Sequence, residues 1–343
     1  MIVVNARFLT QPLTGVQRYA FEVSMQIKLR QPDTLFVCPP NILQTEWANR
    51  LQAEPLGPFT GHLWEQITLA RFMGRHPEAV LFCPGNTGPL WVNNQWITVH
   101  DLAFLQFPQA QHFLFVMGYR WLIPRLLKKG KGIFTVSETI KHEIMQTYAI
   151  HSDKIQVTYN GLAAGMKKEK TKQYSKEKMI LMVGSLSARK NIRALYQGFL
   201  QSGLASTYSL VIFGNRAKIY PWTQLPDHSN IFYVSHGDDE CLLQYYQRAA
   251  ILCSLSLYEG FGLPILEALH FGCRVICSDI PVYHELFPQM VRYCSTSDAE
   301  DIAQQLRETA ADFETGEVSA FALPAAYDYE VAASKIIYSI TGA

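Results

Sequence analysis

The sequence predicts an α/β protein made of two doubly wound domains with parallel sheets. Short continuous runs of Val, Ile and Leu recur along the chain, as strands buried on both faces require. Helix-like stretches separate them, and that alternation is the pattern of parallel strands joined by crossover helices. The length, 343 residues, is comfortable for two hydrophobic cores.

In the first half, strands are expected at Ile2–Val4, Thr34–Cys38, Val80–Cys83, Trp96–His100, Gly132–Val136 and Ile155–Thr158. Helices are expected at Val16–Leu29, Trp64–Phe72, Phe113–Lys129 and Glu138–Tyr148. In the second half, Met179–Val183, Ser209–Phe213, Ile231–Val234, Ala250–Cys253 and Arg274–Cys277 read as strands. Ile192–Gln201, Glu240–Ala249, Pro264–Phe271 and Ala299–Ala311 read as helices. The domains divide at a lysine-rich stretch with almost nothing apolar. The expected organisation is 1–162, a solvated linker over 163–178, and a second domain over 179–325. Residues 326–343 carry helical spacing at Val331, Ala332, Ile336 and Ile337, and either close the second domain or cross back to the first.

Composition narrows the function classes. A net charge of +1 gives no global field for nucleic acid or an anionic membrane, so any basic site is local. Seven cysteines at irregular spacing, with no CxxC pair, read as buried reduced thiols of a cytoplasmic protein. Met1-Ile2-Val3-Val4-Asn5 reads as a first strand and not as a signal peptide. No apolar run reaches the roughly 18–20 residues of a membrane span.

The most informative segment is Glu259-Gly260-Phe261-Gly262-Leu263-Pro264 continuing to Glu267. Glycines let backbone N–H groups approach a ligand, and a helix start presents N–H groups and a positive dipole end to an anion. Glu267 is expected in the first turn of that helix, which suits a phosphorylated, hydroxyl-rich ligand such as a nucleotide sugar. Gly184-Ser185 through Arg189-Lys190-Asn191 lies between a strand and a helix and offers two adjacent cations, a bidentate fork and a point charge, to a diphosphate. Gly15 opens the first helix; it is either an ordinary helix-start glycine or a backbone that must come close to a ligand. His100-Asp101 ends a strand, where a histidine faces the crevice more readily than the core and Asp101 orients the ring or caps the next turn. Ser235-His236-Gly237-Asp238-Asp239-Glu240 is read as a turn whose aspartate caps a helix, in preference to a metal site. Arg120, Trp121, Arg125, Lys128 and Lys129 cluster at a helix end, as a solvated basic terminus or as a contact with an anionic membrane.

These residues resemble the retaining glycosyltransferases of family 4, across nearly the whole chain. The matching elements are Thr14-Gly15-Val16-Gln17-Arg18-Tyr19, Leu63-Trp64-Glu65-Gln66, Val99-His100-Asp101-Leu102 and Thr135-Val136-Ser137-Glu138. They continue with Tyr159-Asn160-Gly161, Val183-Gly184, Arg189-Lys190-Asn191 and the EGFGLP…E element. The resemblance implies the GT-B fold of two facing Rossmann-like domains. It implies that Glu267 binds the nucleotide ribose, and that Glu259 lies at the transferred sugar. Backbone at Gly260, Phe261, Gly262 and Leu263 would face sugar and phosphate, and Arg189 and Lys190 would neutralise the departing diphosphate. Gly15 would close over the phosphates or the acceptor, and His100 would stand near the sugar. Many members carry arginine where Ser185 stands here.

TGVQRY with LWEQ looks most like bacterial surface-polysaccharide mannosyltransferases. The expected donor is then GDP-mannose, with no metal or other cofactor. The expected acceptor is a glycan or lipid-linked glycan at the cytoplasmic face of the membrane. Other UDP-, dTDP- or GDP-sugars, a nucleotide-sugar epimerase or phosphorylase, and a non-catalytic nucleotide-sugar scaffold are the alternatives. A nicotinamide dehydrogenase is excluded, since no GxGxxG follows either first strand.

Overall fold

A computed structural model of the chain describes residues 1–168, 175–214, 225–235, 237–316 and 322–342. The chain divides into two compact units. The first holds Met1–Gln106, Phe113–Ala163 and Ala325–Ala343; the second holds Phe107–His112 and Ala164–Pro324.

The strands of the first unit are β1 (Ile2–Asn5), β2 (Leu35–Cys38), β3 (Glu54–Pro55), β4 (Val80–Cys83), β5 (Gln95–Val99), β6 (Gly132–Thr135) and β7 (Ile155–Val157). They form one parallel sheet in the order β3-β2-β1-β4-β5-β6-β7. The order reverses between β1 and β4, so their carboxyl ends open the crevice where ligands of such sheets bind. Val3, Leu81 and Ile97 of the central strands pack with Trp64, Leu69 and Leu126 from the covering helices.

The second unit contains β8 (Glu177–Val183), β9 (Ser209–Phe213), β10 (Ile231–Val234), β11 (Ala249–Ser254), β12 (Arg274–Ser278) and β13 (Arg292–Cys294). These too are parallel, in the order β10-β9-β8-β11-β12-β13. Its switch point lies between β8 and β11. The core joins Ile180, Ile212 and Ile251 of the sheet to Leu195 and Phe199 of Ile192–Gln201 and to Ile302 and Leu306 of Ala299–Glu314.

Several boundaries differ from the sequence expectation. Met166, in the helix Ala164–Lys168, is buried, and Glu177 and Lys178 already belong to β8; the stretch 163–178 is thus not solvated throughout. Lys170 and Lys172 of that stretch lie outside the described residues. Thr45–Leu51 forms a helix that buries only Ala48 and Leu51, too few apolar residues to show a period. β3 and β13 are short edge strands, the first containing Pro55, which an edge tolerates. The helix Tyr329–Thr341 belongs to the first unit, where Arg30 pairs with Glu330 at 2.5 Å and the Tyr19 and Tyr329 rings meet edge to face at 6.1 Å. All seven cysteines are unpaired, and six are buried. Among the described residues no helix is long and apolar enough to cross a membrane.

Candidate active site

The second unit brings its two sequence-predicted loops together because they leave neighbouring strands at the switch point. One runs from Gly184 after β8, and the other from Leu255 after β11. The Leu257 N–H donates to the Arg189 carbonyl at 2.8 Å, which ties the two backbones. Ala188–Lys190 forms a 3-10 turn that ends at Asn191, at φ 50°. Asparagine tolerates this left-handed geometry, and its side-chain amide donates to the Thr296 carbonyl at 3.0 Å.

The turn places both cations on Glu259. Lys190 Nζ lies 2.5 Å from Glu259 Oε1, and Arg189 Nη1 lies 2.9 Å from Oε2. Arg189 also donates to the Tyr258 carbonyl at 2.6 Å. Lys190 is buried against Gly184, whose φ is +144°; a Cβ there would stand 2.7 Å from Lys190 Cε. The φ itself calls for glycine at 184, since L side chains rarely adopt it. Burial pushes the Glu259 carboxyl up, but Arg189 and Lys190 outweigh it and hold its pKa at about 2. Two cations on one carboxylate leave a net positive cluster with both carboxylate oxygens engaged.

The glycine loop then enters the helix Leu263–His270. Gly262 caps it at φ 104°, and a Cβ at this position would meet Tyr283 at 2.7 Å. Gly260, Phe261 and Gly262 are buried, Leu263 half-buried. Pro264, near the helix start, lacks an N–H, and the Ile265 N–H already bonds the Gly262 carbonyl at 3.0 Å. The helix begins at Leu263, so Glu267 stands in the second turn and not the first. Its carboxylate is buried and accepts a 2.7 Å hydrogen bond from the Tyr246 hydroxyl. A buried phenol needs a partner, and for Tyr246 that partner is Glu267. Ser185 is exposed beside this cluster in sequence. Asp238 caps the helix Asp239–Arg248 through the Cys241 N–H at 2.8 Å, as its spacing predicts. His236 lies outside the described residues.

The first unit places Gly15 at the exposed first position of the helix Gly15–Arg30. There the Thr14 N–H donates to Gln17 Oε1 at 3.1 Å in a capping box. The His100 ring is buried, not open to the crevice; it packs edge to face on Tyr19 at 4.8 Å. Its Nε2 donates to the Pro84 carbonyl at 2.8 Å, because a carbonyl can only accept. Burial pushes the imidazole pKa down, so the ring is neutral near pH 7. Asp101 caps the next turn by accepting from the Ala103 N–H at 2.9 Å.

The sequence reading assigned no chemistry to the ionic cluster at the β1/β4 switch point. Glu65, fully buried, accepts from Asn5 Nδ2 at 2.8 Å and from the Thr87 hydroxyl at 3.0 Å. Arg7 Nε lies 3.0 Å from Glu65 Oε1, and Arg7 Nη2 donates to Thr87 at 2.9 Å. Each residue by itself looks like an ordinary polar position, and only the strand order reveals the group.

Comparison with known proteins finds relatives that span most of the chain. The family model described as "Glycosyl transferases group 1" matches residues 166–317. The O-antigen chain mannosyltransferase RfbU of Salmonella typhimurium is 30% identical over 271 residues, covering 76% of this chain and 72% of that protein. The O-antigen chain mannosyltransferase B of Escherichia coli is 26% identical over 232 residues, covering 63% and 61%. Among solved structures, WaaG, a glycosyltransferase involved in lipopolysaccharide biosynthesis, superposes with TM-score 0.70 at 16% identity over 100% of both chains. HepE of Anabaena, solved with UDP and glucose, does so with TM-score 0.71 at 12% identity over 100% and 99%.

Proposed function

This chain belongs to the group 1 glycosyltransferases, and from that premise we propose that it is a retaining mannosyltransferase using GDP-mannose in surface-polysaccharide synthesis. The acceptor is a glycan or lipid-linked glycan. The observation that carries the reading is the Arg189–Glu259–Lys190 cluster at the switch point of the second unit. The mannosyl and O-antigen parts draw their support from the names of the relatives.

As the glycosidic bond to the diphosphate breaks, negative charge builds on the phosphate oxygens. Fixed cations stabilise that charge without reorganising. Lysine carries three donors and arginine five, so each can hold Glu259 and a phosphate oxygen at once. Glu259 fixes both cations and balances positive charge at the anomeric carbon. A carboxylate with both oxygens engaged is a poor nucleophile, which favours a front-face path over double displacement. In the front-face path the leaving phosphate takes the acceptor's proton. The charge of the cluster lets the reaction proceed without a metal. Glu267, held by Tyr246, receives the ribose hydroxyls.

Calorimetric titration with GDP, UDP, dTDP and ADP, each with and without magnesium, tests this. GDP alone is expected to bind, equally well in both conditions. Glu267→Ala is expected to weaken GDP about tenfold or more, since two ribose hydroxyls lose their charged acceptor. A preference for UDP would sink the mannose assignment; unchanged GDP affinity in the variant would sink the ribose role.

The acceptor lipid brings this enzyme to the cytoplasmic face of an anionic membrane. Leu114, Met117, Trp121, Arg125 and Lys128 share one stripe of the helix Phe113–Lys129, and all are exposed. Arg120 and Lys129 flank the stripe, with Lys129 Nζ 4.9 Å from the exposed Trp91 ring. Aromatic and aliphatic groups beside cations suit a headgroup boundary. Co-sedimentation with phosphatidylglycerol vesicles, but not with phosphatidylcholine, is expected, and Arg125→Glu with Lys128→Glu should abolish it. Equal sedimentation with both lipids, or none, would overturn this contact.

A further inference from the structure

The buried cluster of the first unit has an outward product. Its carboxylate, Glu65, also accepts a hydrogen bond from His62 Nδ1 at 2.9 Å. Burial pushes the Glu65 carboxyl up, but Arg7, His62 and Asn5 outweigh it and hold its pKa at about 2. An ionised carboxylate only accepts, so Nδ1 carries the hydrogen and Nε2 is the ring nitrogen not used by Glu65. The His62 side chain is 43% exposed, while Glu65 beneath it is 1% exposed. A buried ion pair stabilises a fold no better than apolar residues of similar volume. What this one adds is a fixed tautomer and a fixed orientation for the half-exposed imidazole. Glu65 also opens a π-helical turn, Glu65–Leu69, of the kind that re-aims a side chain at a functional site.

Rings lie beside the imidazole. Tyr119 meets His62 edge to face at 5.8 Å, and Phe115 lies 3.9 Å from Tyr119. Both come from the helix Phe113–Lys129, four residues apart and on the side opposite Trp121. A hydrogen-bonding nitrogen of defined tautomer beside aromatic rings is the chemistry that recognises a pyranose. Its hydroxyls need oriented polar partners, and its C–H face needs an apolar ring. The cluster stands at the carboxyl ends of β1 and β4, where the sheet order reverses.

We propose that His62, oriented by Glu65 and flanked by Tyr119 and Phe115, is a binding point for a neutral hexopyranose of the acceptor glycan. A sugar hydroxyl hydrogen-bonds Nε2, and the rings take the C–H face. Arg7 and Glu65 are positioning residues that never touch the sugar. The proposal rests on the glycosyltransferase reading and names the class of group its acceptor presents.

The test uses the full chain and three probes: the methyl α-glycosides of mannose, galactose and N-acetylglucosamine. Saturation-transfer NMR is recorded for the wild type, His62→Ala, Phe115→Ala and, as a control at an exposed apolar residue with no assigned role, Leu43→Ala. At least one glycoside is expected to bind the wild type. Its affinity should fall about tenfold in His62→Ala, the effect of one hydrogen bond, and similarly in Phe115→Ala. Leu43→Ala should match the wild type. His62 is half-exposed, and Glu65 keeps Asn5, Thr87 and Arg7, so an unchanged melting temperature is expected in His62→Ala. Absence of glycoside binding to the wild type, or equal binding to His62→Ala, would overturn the site. GDP affinity is measured in the same samples and fails separately. A wild type that binds glycoside but no nucleotide would leave the sugar site standing and remove the donor assignment.

Discussion

Lys190→Ala is expected to lower turnover about 10²–10³-fold, the loss seen when one fixed donor to a developing charge is removed. The lysine is buried, so its charge acts through a poorly screened medium, and its partner Glu259 holds it at 2.5 Å. Ground-state GDP-mannose affinity should fall much less, because the full charge on the phosphate appears only as the sugar departs. Lys190→Arg should not restore the rate. The planar guanidinium does not reproduce the point charge that the lysine holds 2.5 Å from Glu259 Oε1. Steady-state kinetics with GDP-mannose, alongside titration of the same variant with GDP-mannose in the absence of acceptor, separate the two effects. Near-normal turnover in Lys190→Ala would remove the residue from the mechanism.

Glu65→Leu is expected to destabilise the first unit by about 3–5 kcal/mol, because it strands the Arg7 charge inside. Arg7→Met should cost a similar amount by stranding the carboxylate. The double variant should recover most of the loss, since two apolar groups replace a desolvated pair. Melting temperatures of the four proteins form the cycle, and additive losses would show that the pair is not coupled. The same pair sets an acid limit. The Glu65 carboxyl is held at about 2 in the folded chain, well below its ordinary value. Its contribution is complete above about pH 4.5 and is lost as pH falls towards 2. Glu259 is depressed in the same direction and adds to the loss over the same window. Melting followed from neutral pH downwards should show a steep decline there, and a flat profile would contradict both ion-pair assignments.

The sequence by itself determined most of the elements and pointed to the two candidate loops of the second unit. Buried parallel strands must be continuously apolar, so most strands and the long helices were legible from local runs and period. Gly184 and Gly262 announced positions where a side chain has no room, and both have positive φ. The Arg189–Lys190 and Glu259 loops were legible because each follows a strand directly. Only the tertiary structure decided which charges meet. Lys190 and Glu259 are 69 residues apart in sequence, and Asn5 and Glu65 are 60 apart; strand order joins each pair at a switch point. The same order enclosed His100 against Tyr19 and Pro84, although its place at a strand end predicted an open ring. It also set the helix Tyr329–Thr341 in the first unit, since an amphipathic period records that a face must be buried but not against what. Local residue types carry conformation and periodicity, which act over a turn or two. The pairing of buried charges is a property of distance in space, which the crossover connections alone establish.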